Sequence, residues 1–235
     1  MTAGTLSLSA ALRAGPVQAQ TDEHRWRSAR ERLVADHLIP QGISDSVTLA
    51  AMRAVPRHRF VPADQRARAY DDTPLPIGHD QTISQPAVVA YMTQLVRPRP
   101  GMRVLEVGTG SGYQAAVLAE TGVRVWTVEI FRVLAEEARV RLGALGYGGV
   151  TVRHGDGYAG WPEEAPFDAI VVTAGADTIP PALIEQLAPE GRLVMPVGDP
   201  FLDQQLVLVE KDGGGKVAST RLLPVRFVPL LRGLR

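Results

Sequence analysis

The residues in this chain that could do chemistry are Ser84, the closely spaced Gly108, Gly110 and Gly112, and the acidic Glu106, Glu129 and Asp156. The glycines follow the apolar run Val104, Leu105, Val107 and precede Tyr113, Ala115, Ala116, Val117 and Leu118. A short continuous apolar run is the pattern of a parallel strand buried on both faces. Glycines at its end let the backbone turn sharply and let a ligand approach where a Cβ would collide. A helix starting near Tyr113 adds unpaired N–H groups and a positive dipole end. Gly108, Thr109, Gly110 and Gly112 therefore read as a cradle for a nucleotide-like ligand, although such a turn also occurs as a plain strand-to-helix connection. Glu129 ends the next apolar run, from Val123 to Val128. A carboxylate there can accept hydrogen bonds from both hydroxyls of a ribose.

Ser84 lies in Gln81-Thr82-Ile83-Ser84-Gln85-Pro86, just ahead of a predicted helix carrying Val88, Val89, Tyr91, Met92, Leu95 and Val96. Pro86 suits the first helical position, with Ser84 or Gln85 as cap. Two readings of Ser84 stay open: it is that cap, or its hydroxyl faces the ligand.

The elements that position these groups follow from pattern. Asp22 to Ile39 has helical periodicity, with Trp26, Ala29, Leu33 and His37 on one stripe. A second helix starts at Ser44 or Asp45 and ends before Pro56. Residues 55–62 form a shaped loop whose arginines are either solvated or available to a substrate carboxylate. Residues 73–78 are extended or turning because of their prolines. After the glycine loop come strands near 122–128, 151–157 (ending in an acidic turn), 167–173 and 192–197, a helix over 131–145 and a short one over 179–187. Antiparallel strands over 204–210 and 217–225 flank a glycine-rich turn. His154 is read as structural.

Composition sets the outer bounds. The chain has 235 residues, 45% hydrophobic and 21% charged, with Lys+Arg 25 against Asp+Glu 25 and no cysteine. That suits one large α/β domain and excludes disulfides, thiol nucleophiles and cysteine-based metal sites. No basic cluster suggests nucleic acid, and no apolar run is long enough for a membrane span. Residues 1–21 are expected to be a tail or a degraded signal segment, and 22–235 a single domain: 22–97 as helices and substrate-side segment, 98–235 as the core. The expected compartment is the cytoplasm, with the periplasm as alternative if residues 1–19 direct export. The expected assembly is a monomer.

The glycine loop departs from the dinucleotide pattern G-x-G-x-x-G, since its third glycine position is Tyr113. With Glu106 it reads E-x-G-x-G-x-G and resembles the motif of S-adenosylmethionine (SAM) dependent methyltransferases. VPRHRFVP, AYDDTPLPIGHDQTISQP, VLEVGTGSGYQAAVLA, RHGDGYAGWPEEAPFDAIVVTA and the final VRFVPL together resemble the protein-L-isoaspartate (D-aspartate) O-methyltransferase family, most closely its bacterial members. The resemblance covers most of residues 25–231. It implies a Rossmann-like α/β fold: a mostly parallel, doubly wound sheet with helices on both faces, antiparallel C-terminal strands and an N-terminal helical extension. It implies SAM as methyl donor, held by Glu106, Gly108, Thr109, Gly110, Gly112, Glu129 and Ile130, with Asp156 and Gly157 beside the adenine. It implies Ser84 as the catalytic hydroxyl, and Gln81, Thr82, Ile83, Val228 and Pro229 on the substrate side. The substrates implied are isoaspartyl-containing proteins and peptides, whose methyl ester collapses to a succinimide as the first stage of repair. Animal members carry histidine where this chain has Val89, and threonine where it has Leu231, so the substrate rim differs from theirs. A small-molecule carboxyl methyltransferase would share the glycine loop, Glu129 and Asp156 but lack QTISQP. A SAM-binding protein without turnover is the remaining alternative.

Overall fold

A computed structural model describes residues 16–199 and 203–234. The expectation for the extreme N-terminus lies, as far as residue 15, outside the described residues. The helix expected from Asp22 begins earlier, as α1 (Pro16–Arg32), and continues through wider π-type turns over Leu33–Leu38. Then follows α2 (Ser46–Ala54), whose Asp45 cap accepts from Thr48 N at 2.7 Å, as its sequence position predicts.

The 70–84 segment holds a feature not visible in the sequence: the hairpin β1 (Leu75–Gly78) and β2 (Gln81–Ile83). Its turn residues His79 and Asp80 have φ of 53° and 55°. A two-residue hairpin turn of this hand needs positive φ at both positions, usually signalled by Asn-Gly rather than His-Asp. From β2 the chain passes Ser84 into α3 (Pro86–Leu95), with Pro86 at the start as expected.

Residues from 103 onward build one seven-stranded sheet. Its elements are β3 (Arg103–Val107), α4 (Tyr113–Glu120), β4 (Arg124–Glu129), α5 (Arg132–Ala144), β5 (Thr151–His154), β6 (Phe167–Val172), α6 (Pro181–Glu185), β7 (Leu187–Asp199), β8 (Asp203–Lys211) and β9 (Val217–Val225). The strand order is β5-β4-β3-β6-β7-β8-β9. The first five run parallel, and β8 pairs antiparallel with both β7 and β9. The chain winds outward from β3 to β5, then returns to β6 on the other side of β3. That reversal makes the carboxyl ends of β3 and β6 the switch point, where open α/β sheets hold ligands.

Both faces of the sheet are apolar. Val104, Val125, Ala169 and Val194 pack with the helical side that includes Leu38, Met52, Val89, Ala116 and Leu142. Leu105, Val128, Ile170 and Met195 pack on the opposite face with Phe167, Leu183 and Val209. Leu105 and Ile170 are fully buried, so truncating either to Ala is expected to cost about 2–5 kcal/mol. After β9 the chain returns over the switch point: Gly175 N donates to Val228 O at 2.8 Å and Leu230 N to Gly175 O at 2.6 Å.

Candidate active site

The glycine loop is held by its own backbone and by groups from neighbouring strands. Gly108, Gly110 and Gly112 have φ of 98°, 51° and 88°, in the region that suits glycine. Gly108 is also fixed by space, because a Cβ there would run into Thr173 Oγ1. That hydroxyl donates to Gly108 O at 2.6 Å, tying the loop to the end of β6. Gly110 N donates to Glu129 Oε2 at 2.7 Å, and Phe131 N to Glu129 Oε1 at 3.0 Å. Each Glu129 oxygen thus keeps a lone pair for another donor.

Glu106 is placed by register. It sits beside Thr127 across β3 and β4, and Thr127 Oγ1 donates to Glu106 Oε2 at 2.5 Å. Thr109 joins the chain through a 2.7 Å hydroxyl contact with Thr127. The other carboxylate oxygen, Oε1, is buried and has no hydrogen-bond partner. Burial pushes the Glu106 carboxyl up to about 8, and neighbouring Glu129 adds to the rise. The Thr127 hydrogen bond and the Ala115 N–H oppose it, the latter without meeting hydrogen-bond geometry.

Ser84 is half-buried between β2 and α3. The structure separates the two readings of this residue at the level of geometry. Gln85 occupies the cap position of α3 and makes no side-chain cap bond. Asp72, remote in sequence, does that work: it accepts from Ala87 N at 2.8 Å, Gln85 Nε2 at 2.9 Å and Gln41 Nε2 at 2.7 Å. Ser84 is left without a hydrogen bond among the described residues.

These groups meet in one cavity of about 750 Å³ of empty space, open to solvent. Gln81, Thr82, Ile83 and Ser84 line one side; Glu106, Gly108, Thr109, Gly110, Glu129 and Ile130 line another. Gly157, Val228 and Pro229 close the rim. Two expected residues lie elsewhere. Gly112 starts α4 and faces Leu142. Asp156 does not line the cavity; its Oδ1 caps the following turn, accepting from Tyr158 N at 2.9 Å. His154 is bonded to Ile130 O at 3.0 Å, in keeping with a structural role. Val89 and Leu231, the two departures on the substrate rim, both reach the wall.

Sequence reasoning missed Thr173, Gln114 and Phe131, which also line the cavity. Thr173 carried a signal, since it ends β6 at the switch point; Gln114 carried none, standing in an otherwise apolar helix. Arg57 is a correction. It is neither solvated nor presented to a substrate, being fully buried. Its Nε donates to Ala69 O at 2.9 Å and its guanidinium lies 4.8 Å from the Tyr113 ring centre. It ties the loop before the hairpin to the start of α4.

Among the described residues no lysine or arginine lines this cavity, while two carboxylates do. Such a lining offers a phosphate no counter-charge and suits a ligand rich in hydroxyls and positive charge. No set of three or more His, Cys, Asp or Glu residues could hold a metal ion among the described residues.

Known proteins resemble this chain along most of its length. The family model for protein-L-isoaspartate(D-aspartate) O-methyltransferase (PCMT) matches residues 29–235. A protein-L-isoaspartate O-methyltransferase of Opitutus terrae is 58% identical over 210 residues, spanning 89% of this chain and 90% of that protein. Its counterpart in Gloeobacter violaceus is 56% identical over 200 residues, spanning 85% and 97%. Among solved structures, a protein-L-isoaspartate O-methyltransferase superposes with a TM-score of 0.77 at 33% identity; the match covers 85% of this chain and 65% of the other. A Plasmodium falciparum structure described as a beta-aspartate methyltransferase (PCMT), in complex with S-adenosyl-L-homocysteine, gives 0.75 at 27% identity, covering 88% and 99%. This chain therefore belongs to the protein-L-isoaspartate(D-aspartate) O-methyltransferase family.

Proposed function

We propose that the chain transfers a methyl group from SAM to the free α-carboxylate of L-isoaspartyl residues, and of D-aspartyl residues, in damaged proteins. The observation that carries this reading is the placement of Ser84: a hydroxyl with no partner among the described residues, sharing one cavity with the glycine loop and Glu129. Family membership supports both the reaction and the donor.

When bound, SAM supplies a methyl group made electrophilic by its sulfonium. The chain's own residues then have modest tasks. Glu129 accepts from the ribose hydroxyls, and the Gly108–Gly112 backbone leaves room for the ligand. The acceptor carboxylate, of ordinary pKa about 3.9, is ionised at neutral pH and needs no general base. Ser84 donates its O–H to one carboxylate oxygen and leaves the other to attack. Gln81, Thr82 and Ile83, with Val228 and Pro229 opposite, line the way in and exclude water. Positioning and desolvation are what such a transfer requires from a protein. The ester produced closes to a succinimide without further help from these residues.

Asp156 is proposed to act beside the adenine through its remaining oxygen. With one oxygen engaged as a cap, it shapes the Gly157 turn that forms the cavity rim.

The proposed assembly is a monomer. The proposed compartment is the cytoplasm; no described helix is long and apolar enough to cross a membrane, and N-terminal mass measurement on native protein distinguishes retention from export. Neither nucleic acid nor membrane is proposed as a partner.

The reaction is tested with methyl-labelled SAM and paired peptides that differ only in one isoaspartyl or aspartyl residue. Label in the isoaspartyl peptide alone, released on standing as the ester closes, is expected. Equal labelling of both peptides, or none, contradicts the proposal.

A further inference from the structure

Gln114 is the second residue of α4, lines the cavity and is 6% exposed. Its amide nitrogen donates to Thr93 Oγ1 at 2.9 Å. Thr93 in turn donates to Val89 O at 2.8 Å. A threonine hydroxyl has one proton. With that proton committed to the Val89 carbonyl, Thr93 can only accept from Gln114. The amide is thereby oriented with its NH₂ toward α3, and Oε1 must face away from it. Oε1 is buried and has no hydrogen-bond partner.

A second buried oxygen without a partner among the described residues lines the same cavity: Glu106 Oε1, an acceptor once its carboxyl ionises. Buried acceptors are normally paired, and an unpaired one in a native fold calls for an explanation. Two acceptors in one wall call for a donor with several N–H groups. A peptide N–H offers one; an ammonium offers three. Both acceptors stand beside the glycine loop, at the end of β3 and in the first turn of α4. No basic side chain among the described residues lines the cavity to compete for them.

We propose that Gln114 is a donor-binding residue, its Oε1 accepting a hydrogen bond from the ammonium of the methionine portion of SAM and sharing that cation with Glu106. This inference rests on the methyltransferase reading and adds a polar anchor that is fixed from α3. Thr93 is then a positioning residue, setting which end of the amide faces the ligand. Burial raises the Glu106 carboxyl in the ligand-free chain, and an adjacent cation would draw it back toward its ionised, accepting form.

The test is calorimetric binding to the full chain of S-adenosyl-L-homocysteine and of 5′-methylthioadenosine, which has the same nucleoside but no amino-acid portion. Gln114→Leu is expected to weaken the first by about 10- to 100-fold, the usual cost of a hydrogen bond to a charged group, and the second by less than about twofold. Retained 5′-methylthioadenosine binding also reports that the variant is folded. Gln114→Met serves as a second variant of similar shape should leucine disrupt the helix. Thr93→Val, which releases the amide, is expected to reproduce part of the loss on the first ligand only. Equal weakening of both ligands overturns the proposal, since the side chain would then merely support the wall. Unchanged binding of both with a raised KM for isoaspartyl peptide also overturns it and assigns Oε1 to the substrate N–H. A wild-type chain that binds neither nucleoside overturns the methyltransferase reading itself, whereas wild-type binding without the ligand-selective loss overturns only the Gln114 assignment.

Discussion

The two sides of the cavity are built differently. On the glycine-loop side every turn is fastened close by: Gly108 N to Val128 O at 2.8 Å, Gly110 N to Glu129 at 2.7 Å, and Thr109 through Thr127 to Glu106. On the Ser84 side the fastening is remote. Asp72 gathers Gln41, Gln85 and Ala87 N, and the Ser84 hydroxyl is left with no partner among the described residues. A side that holds one invariant ligand gains from rigid complementarity. A side that receives varied protein segments needs a fixed hydroxyl with open space in front of it. Anchoring the start of α3 through Asp72 meets both needs, because the cap is filled without using Ser84.

That contrast can be broken first at its rigid half. Gly108→Ala puts a Cβ against Thr173 Oγ1 at a φ of 98°. It is expected to weaken S-adenosyl-L-homocysteine binding by more than about 100-fold, with roughly 1–3 kcal/mol of strain showing as a lower Tm. Asp72→Ala tests the remote anchor. Losing the cap is expected to cost about 1–2 kcal/mol in denaturant unfolding, with KM for an isoaspartyl peptide rising several-fold and cofactor affinity little changed. If cofactor affinity fell as far as peptide affinity, the two sides would not be separable.

The smallest effect concerns pH. Burial holds the Glu106 carboxyl at about 8, above its ordinary 4.5. Between those values the folded ligand-free protein keeps a proton that the unfolded chain has lost. Its contribution to stability is therefore fully present below about 4.5 and is lost as pH climbs toward about 8. Thermal unfolding of the ligand-free wild type should decline over that window, and Glu106→Gln should remove that part of the decline. Parallel curves for the two proteins would show that Glu106 is ionised throughout.

Much of the rigid side was legible in the sequence, because its logic is local. The apolar run into Gly108, Gly110 and Gly112, and Glu129 at the end of the next strand, are set by strand period and turn chemistry. Four of the parallel strands and α5 fell near where the pattern placed them, while β7 begins at Leu187 rather than Arg192 and takes in the expected turn at Glu190 and Gly191. The Ser84 side was legible only as a motif. Its hairpin depends on His79 and Asp80 adopting positive φ, which neither residue type announces. Its cap comes from Asp72, and its backing from a buried Arg57, both set by tertiary contacts. Gln114 escaped for a similar reason: its meaning lies in the direction of one Thr93 proton. Asp156 caps its own turn through Oδ1, the turn role that its place in Gly-Asp-Gly also signals.

The most direct test of the account is Ser84→Ala, measured as single-turnover methyl transfer to an isoaspartyl peptide alongside S-adenosyl-L-homocysteine affinity. Transfer is expected to fall by about 10–1000-fold, the range for losing one contact that matters in the transition state, with cofactor affinity within about twofold of wild type. An unchanged transfer rate would reduce Ser84 to a bystander at the start of α3 and contradict the division of the cavity into a donor side and an acceptor side.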